Sequence, residues 1–187
     1  MIAEASPSSL VAWESFYVIV GSSAGALTGL QFVVIALIAD QRQRATHGQL
    51  DAFATPTIVH FCAALLISAI LSAPWPSFGG VASLLGITGI WGIAYTAIVF
   101  IRARRVTGYR PVLEDWIWHV TLPFLSYIIL LVGAFTLRAD PALALFMIAS
   151  MAVLLVLIGI HNAWDSVTFI VVERLHKTDE PKSDSSS

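Results

Sequence analysis

Three histidines with carboxylates nearby are the residues best suited to chemistry in this chain: His60, His119 and His161. Asp115 precedes His119 by four residues, and Asp165 follows His161 by four. On a helix that spacing puts each acid and its imidazole on one face, one turn apart. A carboxylate beside an imidazole orients the ring and favours its protonated form. Ionisable groups among apolar residues are costly in a membrane and there serve most often as relays for protons or ions. The same histidines could instead ligate a metal or a haem, since imidazole suits zinc, copper, iron and nickel, with an acid behind each ligand ring. No HExxH motif or paired-histidine repeat supports a particular metal. A general base acting on lipid or peptide is a third option, although no Ser or Cys nucleophile arrangement accompanies it. The option without chemistry is that polar residues gather near helix ends because snorkelling and interfacial water make them tolerable there.

These groups sit in a chain that is 57% hydrophobic and only 12% charged, with mean hydropathy +0.82. Soluble domains carry roughly 25% charged residues. The sequence therefore predicts an all-α integral membrane protein. A net charge of −2 without a clustered basic face excludes nucleic acid as a partner. The single cysteine, Cys62, excludes a disulfide framework within one chain and is expected to be a small core residue.

Five spans are expected, over residues 13–39, 56–72, 78–101, 114–137 and 141–162. No Lys or Arg precedes the first apolar run, so that run reads as a retained span and not a cleaved signal. Residues 52–101 contain no Asp, Glu, Lys or Arg, and the break APWPSFGG divides them into two crossings. Pro123 is expected to kink the fourth span. The short RADP link makes spans four and five antiparallel neighbours. The fifth helix runs on past the bilayer through HNAWDSVTFIVVER, and its apolar flank there requires cover, most simply from an oligomer. Residues 1–176 form one membrane domain, and 177–187 are expected to be a disordered cytoplasmic tail.

Counting Lys and Arg fixes the expected orientation. With the N-terminus outside, Arg42, Arg44, Arg102, Arg104, Arg105, Arg110, Arg174, Lys177 and Lys182 fall on the cytoplasmic side, and only Arg138 falls outside. An inner (plasma) membrane protein, N-out and C-in, follows. His60, His119 and His161 then lie at a similar depth near the cytoplasmic face, with Gln31 and Asn162 as neutral lining and Glu14, beside Tyr17, at the outer end. Convergence of these side chains would suit ion or proton transport. The alternatives are a haem- or metal-binding subunit, with the three histidines as ligands, and an accessory or scaffold subunit; an enzyme is disfavoured.

Two further patterns concern partners. Gly21, Gly25 and Gly29 recur every four residues, a spacing that lets helices pack closely, either within the chain or in a homo-oligomer. Arg102, Arg104, Arg105 and Arg110 could attract anionic lipid headgroups at about 1 kcal/mol per basic residue.

Overall fold

The computed structural model describes residues 8–41, 48–105 and 113–179, with side chains at 9–36, 56–104, 113, 114 and 116–168. All the regular structure there is helical. Helix α1 spans Ser8–Gln41, α2 Gly48–Ser72, α3 Phe78–Arg105, α4 Leu113–Trp116, α5 Leu122–Thr136 and α6 Pro141–Asp179. A π-helical turn, Ile117–Thr121, joins α4 to α5, and the backbone stays right-handed helical on both sides of it. Helices are what a bilayer permits, because each satisfies its own backbone donors and acceptors where no water can. Hydroxyls follow the same logic. Thr88, Thr96 and Ser126 each donate to the carbonyl four residues back, at 2.8, 2.9 and 2.8 Å.

Four helical stretches are long and apolar enough to cross a membrane: Ser9–Ala36, Phe78–Arg104, Ile117–Thr136 and Pro141–Thr168. The second helix falls short of that standard, since its apolar part is Pro56–Ser72. Large apolar side chains also face outward at high exposure, Phe135 at 77% and Ile19 at 66%. A helix that is apolar all round suits lipid on one side and protein on the other.

The helices associate in a chain of neighbours. Helix α1 packs along α2, α2 along α6, α6 along α5, and α5 along α3, while α3 meets α2 only lightly. The core runs through Tyr17, Ala64, Ile67, Leu85, Leu130, Ile148 and Leu155. Lipid offers helices no hydrophobic reason to associate, so close approach must come from small residues. Gly159 receives the ring of Phe61 and Gly92 the ring of Tyr127, with no room for a side chain at either glycine. A Cβ on Gly89 would stand 3.2 Å from the backbone of Leu131.

The glycine repeat of α1 is used unevenly. A Cβ on Gly21 would come within 2.9 Å of Ser68 on α2, one on Gly25 would only graze Leu65, and Gly29 faces open space. Part of the motif therefore packs inside the chain.

Local signals set the turns. Asp140 accepts a bond from the Leu143 amide at 3.0 Å and Pro141 opens α6, the expected cap with proline in the first turn. This places α6 back along α5, as the short link predicts. Between α2 and α3, Trp75 donates from its indole to the Ile70 carbonyl at 2.6 Å and lays its ring over Gly80. Helix α6 continues to Asp179, beyond the expected boundary at 176, and the remaining tail lies outside the described residues.

These contacts predict an ordered cost of filling the glycines. Gly89→Val should destabilise the protein by about 1–3 kcal/mol, because backbone cannot yield as a side chain can. Gly29→Ala should stay within about 0.5 kcal/mol of wild type. Unfolding by SDS titration in detergent micelles measures both.

Candidate functional site: a buried histidine and tyrosine

Pro123 shapes this region. It has no N–H to offer the carbonyl of His119, and its ring would clash with that carbonyl in a regular helix. The chain answers by widening the preceding turn. The Leu122 amide bonds to the Ile117 carbonyl, and Thr121 Oγ1 donates to the Trp116 carbonyl at 3.1 Å, both five residues back. The expected irregularity is thus a π turn, a feature common at functional positions. Two consecutive residues on it reach different neighbours: Trp118 meets α6, and His119 interacts electrostatically with His60 of α2.

His60 is 1% exposed. Its Nδ1 shares a hydrogen bond of 3.1 Å with the hydroxyl of Tyr127 on α5, the donor being whichever of the two holds the proton. Tyr95 of α3 stands edge-on to His60 with ring centroids 6.5 Å apart. Side chains from three helices thus meet around the His60 ring. Leaving a buried polar atom unpaired costs about 1–3 kcal/mol, so the bond satisfies a requirement as well as tying α2 to α5.

A second histidine lies on α6. His161 stacks on Trp118 at 3.9 Å between centroids, with the rings 20° from parallel. Its Nε2 lies 3.1 Å from Asp165 Oδ2, the expected one-turn pair, yet the ring nitrogen is not aligned for a hydrogen bond. The pair is an ion pair only when the imidazole carries its second proton. Asn162 beside it is 1% exposed, and neither its oxygen nor its nitrogen has a hydrogen-bond partner.

His60 thus meets Tyr127 while His161 meets Trp118, and the charge of His119 is felt at His60. Among the described residues, no group of three or more His, Cys, Asp or Glu side chains is placed to hold a metal ion. Gln31 and Tyr17 are buried, whereas Glu14 is exposed. The side chain of Asp115 lies outside the described residues. Cys62, expected in the core, is exposed on the outer surface of α2. Sequence reasoning missed Tyr127 and Trp118. Trp118 lies in the turn that precedes Pro123, where a distortion was expected, but nothing in the sequence marks Tyr127 as the partner of His60.

A second polar level lies further along α2. Ser68 Oγ and the hydroxyl of Tyr17 are buried without hydrogen-bond partners. Ser68 is eight residues from His60, about 12 Å along the helix. The intervening core is apolar, with Ala63, Ala64 and Ile67 of α2 among the residues packed there.

No known protein family matches this chain, and no curated protein or solved structure is similar to it.

Removing the hydroxyl in Tyr127→Phe should preserve the packing against Gly92 and cost about 1 kcal/mol in detergent unfolding. At the second site, His161→Phe should keep the stack on Trp118, while His161→Ala should lose about 0.5–1.5 kcal/mol. The same titrations report both.

Proposed function

We propose that this protein moves protons or small ions across a membrane, using His119, His60 and Tyr127 as its inner polar relay. In this reading five helices cross, with the N-terminus outside and the C-terminus in the cytoplasm of a cell whose inner membrane holds the protein. The arginine distribution supports the orientation, because Arg102 and Arg104 end α3 whereas only Arg138 falls at the opposite side. Helix α2 has 25 residues, enough to rise about 37 Å against a hydrocarbon thickness of about 30 Å.

The hydrogen bond between His60 and Tyr127 carries the reading. An imidazole with a phenol beside it can accept a proton on one nitrogen and release one from the other. His119, whose charge is felt at His60, lies on a turn near the cytoplasmic end of its span in this reading and is the next group inward. Tyr17 and Ser68 supply acceptors and donors in the outer half. The apolar interval between the two levels is the barrier that has to open during a cycle. A continuous aqueous pore forms no part of this mechanism.

Proteoliposomes carrying a pH-sensitive dye test it. The wild type should dissipate an imposed pH gradient, and Tyr127→Phe should slow this at least about tenfold while His161→Phe has little effect, since a positioned proton-transfer group is worth that much or more. Equal flux in wild type, Tyr127→Phe and His60→Ala, with the fold verified by circular dichroism, would overturn the relay and leave the bond as an interhelical tie. A C-terminal tag should resist protease added to intact spheroplasts; cleavage there would reverse the orientation.

A further inference from the structure

The light contact between α2 and α3 leaves a lateral groove of about 300 Å³, lined by Val59, Cys62 and Leu66 on one wall and Thr88 and Trp91 on the other. Its walls are almost wholly apolar and it opens to the side. We propose that this groove is a binding site for one anionic phospholipid, with an acyl chain between α2 and α3 and the phosphate on Arg102.

The placement of charge selects that occupant. On α3, Thr88, Trp91, Tyr95 and Arg102 are spaced by three, four and seven residues, which keeps them on one helical face. Tyr95 is stacked on Trp91, with centroids 5.6 Å apart, and Arg102 lies about two turns further along the same face. Arg102 is exposed, and among the described residues no carboxylate pairs with it. From Arg102 to Trp91 is eleven residues, about 16 Å of rise. One leaflet of hydrocarbon is about 15 Å deep. A headgroup at Arg102 therefore brings the far part of its chain level with Trp91. A guanidinium offers two parallel donors to a phosphate, which an uncharged helix end cannot. Arg104 is turned elsewhere, over the ring of Phe100 at 5.5 Å. It serves as the control.

Quenching of Trp91 by lipids brominated on their acyl chains reads occupancy of the groove. The full-length protein is reconstituted in phosphatidylcholine bilayers with a small fraction of brominated phosphatidylglycerol or brominated phosphatidylcholine. Subtraction of the Trp91→Phe signal isolates Trp91. The anionic lipid should be preferred about fivefold, the ratio expected from one basic residue near the surface. Arg102→Gln should bring the two lipids to parity, and Arg104→Gln should leave the preference intact. Equal quenching in the wild type would overturn the proposal, as would a preference that survives Arg102→Gln in folded protein. An absence of quenching by either lipid would also overturn it, by showing the groove closed or filled by a second copy. Proton flux is not part of this readout, so the site and the relay stand or fall separately.

Discussion

Within hydrocarbon, every hydrogen-bonding group has to find its partner inside the protein, and this requirement governs the whole molecule. It explains why the described chain is helical, why Thr88, Thr96 and Ser126 turn their hydroxyls onto their own backbones, and why His60 is found with Tyr127. It also gives weight to the exceptions. Tyr17, Ser68, His161 and Asn162 hold buried polar atoms with no bond to satisfy them. Native structures contain few such groups, and each calls for a reason such as a bound water, a passing ion or a second conformation. They are carried by three helices, Tyr17 on α1, Ser68 on α2, and His161 and Asn162 on α6.

Glycine provides the means by which side chains from different helices reach one another. The ring of Tyr127 occupies the volume that any side chain at position 92 would fill, and Phe61 does the same at Gly159. The position of the Tyr127 hydroxyl beside His60 is therefore set partly by α3, a helix that contributes no atom to the bond. The α2–α6 contact has the same character. Packing by small residues is short-ranged, and Gly89 and Gly92 of α3 are turned to α5, so α3 meets α2 only lightly and a groove is left between them.

Much of the fold could be read from the chain because its signals are one-dimensional. Apolar length marks the helices, the break around Pro74 and Pro76 separates α2 from α3, and Asp140 with Pro141 starts α6 where expected. The one-turn pairing of His161 with Asp165 was legible for the same reason, since both lie on one helix. What could not be read is rotation about each helix axis. These helices are apolar on all sides, so sequence periodicity does not say which face turns inward. That is why the expected common depth of His60, His119 and His161 did not reveal that one ring would face Trp118 and another Tyr127. It is also why Cys62 was expected inside and stands outside.

The π turn ahead of Pro123 holds one residue more than an α-helical turn would. In genetic terms it behaves as a single-residue insertion that the helix has absorbed without breaking. Loss of one codon from this turn would return it to α-helical geometry and bring the ring of Pro123 against the carbonyl one turn back. The spacing between Trp116 and Pro123 is thus a length standard for the interior, and it tolerates substitution far better than deletion.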